Sequence, residues 1–254
     1  MAKLKDIVVF LNDHLGNKKI KDLSRNGLQV KGKPEITKIA FTENASLDTF
    51  QAALKEKADL IVVHHGLLWK EKYKNPALDK IKQKRIKFLT KNHLSLYASH
   101  LPLDKHKIAG NNAQLLKLLG IQIKKEFGEY HGQNISWCGN FKKPVLAKEL
   151  VKKIEAKLST KCVAFLFGPK KIKSIAVCSG GGGFPTLAEA INKKFDLYLT
   201  GESFDCKTLI KDAGFNAVFA GHYATEIVGV KALKELIGKK FKVETIFIDD
   251  PTGL

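Results

Sequence analysis

The chain has 254 residues, 44% hydrophobic and 27% charged, a balance that suits one large or two small globular domains and excludes disorder, collagen-like repeats and a disulfide-stapled miniature. Its 44 Lys+Arg against 25 Asp+Glu give a net charge of +19, which invites anionic partners. Its only arginines are Arg25 and Arg85, whereas reading base edges and gripping phosphate bidentately favour arginine, so the lysine excess reads as general composition able to steer an anionic substrate, with nucleic acid the weaker alternative.

The opening MAKLKDIVVFLNDHLG (1–16) lacks the apolar run and small-residue cleavage site of a signal peptide and reads as an amphipathic helix. No apolar run approaches the roughly 20 residues of a membrane helix, so a cytoplasmic protein with no membrane partner is expected. ITKIAFTEN (36–44) predicts a strand, ASLDTFQAALKEKA (45–58) a helix and DLIVVHH (59–65) a buried parallel strand. A lysine-rich helix near 78–92, the strand LSLYASH (94–100) and the helix NNAQLLKLLG (111–120), stopped by Gly120, follow. The alternation is that of an α/β fold. Cys138, Cys162, Cys178 and Cys206 form no C-x-x-C pair and read as reduced thiols.

The second half restates the first. IKSIAVCSG (172–180) parallels ITKIAFTEN, FPTLAEAINKKF (184–195) parallels the first crossover helix, and DLYLTGES (196–203) aligns with DLIVVHHG (59–66). NAVFAGHYATE (216–226) aligns with LSLYASHLPLD (94–104), and VKALKELIGKKFKV (230–243) echoes NNAQLLKLLGIQI. An internal duplication accounts for this order. It implies a first α/β half over 1–122, a connecting segment over 123–171 that belongs with the second half, a second α/β half over 172–254, and a metal cleft between the halves.

The chemistry-bearing residues gather at predicted strand ends, where parallel α/β sheets bind ligands. His64 and His65 close the second strand, His100 and Asp104 form H-x-x-x-D after the third, and His222 and Glu226 form H-x-x-x-E at the equivalent point of the second half. Imidazole and carboxylate suit divalent metals, and these donors exceed the need of one ion, so two ions roughly 3.5–4 Å apart are expected. SGGGG (179–183) could offer the backbone N–H groups of Gly180, Gly181 and Gly182 to a phosphate, or serve a tight turn or close backbone approach. Glu202, where the first half has its histidine pair, reads either as an acid behind the ligands or a proton relay, or as a helix-start carboxylate. Trp69 and Phe184 could stack a base or belong to the core.

NGLQV (26–30), VVHHGLLW (62–69), HLPLD (100–104), GNNAQL (110–115), SGGGG, TGE (200–202) and GHYATE (221–226) together resemble the NIF-three-like dinuclear-metal family, often labelled GTP cyclohydrolase 1 type 2, in its short form without a PII-like insert. The resemblance implies metal ligands at His64, His65, Asp104, His222 and Glu226, with His100 a neighbour rather than a ligand. It also implies a homohexameric ring. One departure is TENAS (42–46), where members often carry an Asp-Ala/Val-Ser/Thr step. The implied activity is GTP cyclohydrolase-like, a metal-activated water attacking C8 of a purine nucleotide with release of formate, supported by two divalent ions per subunit (zinc, iron, manganese or nickel). A non-enzymatic regulatory or nucleic-acid-binding ring with structural metals and a metal-dependent phosphoesterase are the alternatives.

Overall fold

A computed structural model describes residues 1–70 and 75–253. Its chain divides into two compact units, one of residues 1–103 and 230–250, the other of residues 104–229 and 251–254. The units and the sequence repeats therefore have different boundaries, because the C-terminal elements of each repeat pack in the other repeat's unit.

The first unit begins with β1 (Ala2–Lys3) and α1 (Leu4–Leu15), which turns Leu4, Ile7, Leu11 and Leu15 inward at helical spacing. Then come β2 (Gly27–Val30), β3 (Glu35–Ile36), β4 (Lys38–Asn44), α2 (Leu47–Lys55), β5 (Leu60–His65), α3 (Pro76–Lys91), β6 (Ser95–Ala98) and the start of α4 (Leu101–Lys105), whose Asp104 and Lys105 belong to the second unit. Ser46 and Thr49 close a reciprocal capping box on α2, and Asn75 caps α3 ahead of Pro76. β4, β5 and β6 pair in parallel, and β2 pairs antiparallel with β6. Alternate residues of these strands serve two cores. Ile39, Phe41, Leu60, Val62 and Tyr97 pack with α1, while Ala40, Ile61, Val63, Leu96 and Ala98 pack with Phe50, Ala53 and Leu89 of α2 and α3. Burial on both faces explains the nearly unbroken apolar run of β5.

The second unit holds α5 (Asn111–Leu119), β7 (Gln122–Tyr130), β8 (Gln133–Leu146), α6 (Ala147–Leu158), β9 (Val163–Leu166), β10 (Lys171–Cys178), α7 (Gly183–Asn192), β11 (Leu197–Thr200), α8 (Lys207–Asp212) and β12 (Asn216–Phe219). β10, β11 and β12 are parallel, and β9 pairs antiparallel with β12 as β2 does with β6. The repeat thus reaches back to include a helix and an antiparallel edge strand, α1–β2 in one copy and α6–β9 in the other. The stretch 123–171 supplies that pair and, before it, the hairpin β7–β8, which extends the sheet beside β10. Ile175, Val177, Leu197, Leu199 and Val218 pack with Leu115, Leu116 and Leu119 of α5 and with Leu150, Ile154 and Leu158 of α6. Gly120 ends α5 at φ +74°, a left-handed conformation that glycine adopts without penalty.

α9 (His222–Phe241) starts in the second unit, and its later residues Val230, Leu233 and Ile237 join the core of the first, where β13 (Glu244–Phe247) pairs in parallel with β4. The terminal elements are thereby exchanged: α5 follows the first repeat but packs with the second sheet, while the end of α9 and β13 follow the second repeat but pack with the first. The strand bounds also correct the sequence reading. β6 stops at Ala98 and His100 lies beyond it, while His222 is the first residue of α9. No described helix is long and apolar enough to cross a membrane.

Candidate metal centre

In the first unit, His64, His65 and His100 each present a ring nitrogen, and these nitrogens lie within 4.8 Å of one another. Their Nδ1 atoms are all engaged. His64 is fully buried and its Nδ1–H donates to the Ser99 carbonyl at 3.0 Å; a carbonyl only accepts, so the tautomer is set. Ser99 is held in turn, its Oγ–H donating to Asn17 Oδ1, whose amide donates to the Tyr97 hydroxyl and to Asn12 Oδ1. His65 Nδ1–H donates to Asn44 Oδ1 at 3.0 Å, and Asn44 Nδ2 donates to Glu43 Oε2 at 2.6 Å. The carboxylate must face the amide N–H, which orients Asn44 and through it His65. TENAS therefore supplies the clamp on His65.

His100 Nδ1 lies 3.0 Å from Asp22 Oδ1. Asp22 is buried and also accepts from the backbone N–H groups of Ser24 and Leu101 and from Asn26 Nδ2. Burial acts to raise its pKa, but the His100, Asn26 and Ser24 interactions outweigh burial and hold it down at about 2. Asn26 Oδ1 closes the arrangement by accepting from the His100 backbone N–H at 2.7 Å.

In the second unit, α9 places His222 and Glu226 one turn apart on the same face. His222 Nε2 is 2.9 Å from Glu226 Oε2, and Nδ1 is 2.7 Å from Glu202 Oε1. Burial lowers the His222 pKa, but Glu226 and Glu202 overcome it and push the ring up to about 9. Asp104 and Glu226 each bring a carboxylate oxygen within 4.8 Å of the other. Asp104 Oδ1 accepts from Asn111 Nδ2 at 2.8 Å and from Ser179 Oγ at 3.0 Å. Asn111 Oδ1 accepts from the Gly229 N–H, while Asn112 donates to the Asp104 and Ile135 carbonyls and accepts from the Ser179 N–H. The Asn pair of GNNAQL is thus the scaffold of Asp104.

The glycine run serves close approach. Gly180 has φ +62°, and a methyl group there would run into Glu226 Oε1 and sit 3.1 Å from His222 Nε2. At Gly181 it would sit 3.1 Å from Glu202 Oε2, and at Gly182 it would strike the Tyr198 hydroxyl. The Gly180 N–H already donates to Thr225 Oγ1 and the Gly182 N–H to Thr200 Oγ1. A phosphate cradle would have to do without those two donors. Phe184 is 56% exposed at the start of α7, and Trp69 stands 5.0 Å from His100 in the first unit.

Each unit therefore gathers predicted residues, His64, His65 and His100 in one and Asp104, Glu202, His222 and Glu226 in the other. In all these histidines Nδ1 faces a carbonyl, an amide oxygen or a carboxylate. Such outer contacts orient metal-binding imidazoles and make Nε2 the coordinating atom, so the nitrogen and oxygen donors fit divalent first-row ions. Sequence reasoning missed Asp22, Glu43, Asn44 and the Ser99 carbonyl. The available signals were Asp22 four residues before the Asn26 of NGLQV, and the Glu-Asn of TENAS beside the histidine strand.

The Duf34/NIF3 (NGG1p interacting factor 3) family profile matches residues 2–252. A Pyrococcus horikoshii protein named "GTP cyclohydrolase 1 type 2 homolog" is 44% identical over 255 residues, 98% of each chain. One of the same name from Archaeoglobus fulgidus is 39% identical over 252 residues, 99% of each. Among solved structures, protein ybgI, described as of unknown function, superposes with a TM-score of 0.91 at 34% identity over 100% of both chains. Reduced HcgD from Methanocaldococcus jannaschii gives 0.82 at 27% identity over 98% of both.

Proposed function

The chain belongs to the Duf34/NIF3 family, and we propose that it is a divalent-metal-dependent hydrolase of a purine nucleotide, opening the imidazole ring by attack of water at C8 with release of formate. The carrying observation is the shared engagement of Nδ1 in His64, His65 and His222, which presents Nε2 to a cation. These histidines with Asp104 and Glu226 are the proposed ligands of two ions. Divalent cations supply Lewis acidity, lowering the pKa of water and polarising the atom under attack.

The chain's own residues do the rest. Ser99 and Asn44 hold the His64 and His65 imidazoles in one tautomer, Glu202 orients the His222 ring through Nδ1, and Asn111 and Ser179 fix one oxygen of Asp104. The glycines at 180 and 181 leave room for the carboxylates of Glu226 and Glu202. Lysines supply a positive field for the triphosphate. The test is metal analysis of the reconstituted protein followed by a nucleotide screen. About two divalent ions per chain and formate released from GTP support the reading. Phosphate as the only product would replace it by a phosphoesterase.

A homohexamer at moderate salt is part of the same proposal. Repulsion within a chain of net charge +19 is screened beyond about 8 Å at physiological ionic strength, which lets apolar contacts dominate. Light scattering across a salt series checks it, and a monomer at every salt concentration rejects it. Tight duplex DNA binding with a steep loss of affinity in salt would favour the nucleic-acid reading instead.

A further inference from the structure

The loop after β5 carries an indole that the ligand sets do not use. Residues 66–70 are tied to the strap 22–29. Gln29 Oε1 accepts from the N–H groups of Leu67 and Leu68, and the Leu68 carbonyl accepts from the Arg25 N–H at 2.8 Å. Lys70 donates its backbone N–H to Leu23 O and its Nζ to Asp22 O. Ser24 and Trp69 form an antiparallel bridge. The Trp69 Nε1–H donates to Gly66 O at 2.8 Å, which fixes the ring.

That ring lies 5.0 Å from His100, nearly edge to face at 67°, and 6.4 Å from His65. It is only partly buried. Trp137 shows the contrast, since it is 9% exposed and gives its N–H to the Lys105 carbonyl. A rigid indole kept partly in water beside a cluster of imidazoles is a preorganised stacking surface. Its position needs no side-chain ordering when a flat ring lands on it, and stacking is favoured by both area and polarisability.

We propose that Trp69 is the surface on which the substrate's purine ring stacks, beside His65 and His100. The inference rests on the purine-nucleotide reading and adds the residue that selects a base over a bare phosphate chain. Phe184, in the other unit, has no ring partner among those described and is not assigned this role.

The chain has two tryptophans, so Trp137→Phe leaves Trp69 as the sole indole. The full-length, manganese-reconstituted protein in that background is titrated with GTP and with inorganic triphosphate while emission is followed. GTP is expected to change Trp69 emission and triphosphate is not. By calorimetry, Trp69→Leu should weaken GTP binding about tenfold or more at unchanged metal content, and Trp69→Phe should recover most of the loss. Equal GTP affinity in wild type and Trp69→Leu overturns the stacking role and leaves the purine reading in place. A metal-loaded wild type that binds no GTP overturns both. If Trp69→Leu sheds metal, the emission comparison decides alone, and an identical response to GTP and triphosphate rejects the proposal.

Discussion

In the first sheet β5 ends in His64 and His65, whereas in the second the matching β11 ends at Thr200 and gives way to Gly201 and Glu202. At their other ends the same two strands are alike. Asp59, just before β5, accepts from the Thr37 N–H and hydroxyl and the Lys38 N–H. Asp196, just before β11, accepts from the Lys173 and Ser174 N–H groups and the Ser174 hydroxyl. The duplicated scaffold has kept the brace that organises its backbone and diverged at the strand ends where ligands bind. One copy presents imidazoles. The other clears space with glycines and holds its histidine, on α9, with an acid.

The largest effect is expected at Gly180, the position matched to Asn44 in the first copy. Gly180→Ala places a methyl against Glu226 at a positive φ, and is expected to abolish metal retention and lower the melting temperature by several degrees. Metal content and melting equal to wild type would show that the glycine run has another purpose.

A smaller effect is expected where each copy clamps an imidazole by its own means. Asn44→Ala and Glu202→Ala each remove one Nδ1 partner, and each should weaken metal affinity about 10- to 100-fold, read by competition with a chelator. A loss confined to one variant would mean that only one copy orients its ligand through Nδ1.

The brace should give the smallest effect. Asp59→Ala and Asp196→Ala leave the partly buried N–H groups of Thr37, Lys38 and Ser174 without their acceptor and should each lower stability by about 1–3 kcal/mol in denaturant unfolding. Asp59 adds a pH signature. Burial acts to raise its pKa, but Lys33, Thr37 and Lys38 hold it below the ordinary value. Its contribution is therefore present above the unfolded carboxyl pKa of about 4 and is lost as pH falls through the lower folded value. Asp59→Ala should flatten the stability profile in that acid range, and an unchanged profile would remove Asp59 from the brace.

The parallel strands and crossover helices of both copies were legible because burial on two faces writes a continuous apolar run and amphipathic helices write their own period. The hairpin β7–β8 leaves no clear trace in the sequence, since Lys124, Lys125 and Glu126 face outward on an edge strand and mask its pattern. The exchange of α5 and α9 was hidden because an apolar stripe states that a helix packs, not on which sheet. Metal-type residues stood out by chemistry and repetition. Asp22 did not, because its meaning comes from His100 and Leu101, 78 and 79 residues away.

The proposal to be tested is that His64, His65, Asp104, His222 and Glu226 hold divalent cations. Elemental analysis of the reconstituted wild type beside His64→Ala and Glu226→Ala tests it most directly. About two divalent ions per chain are expected in the wild type, with loss from both variants. Full stoichiometry in either variant would contradict it.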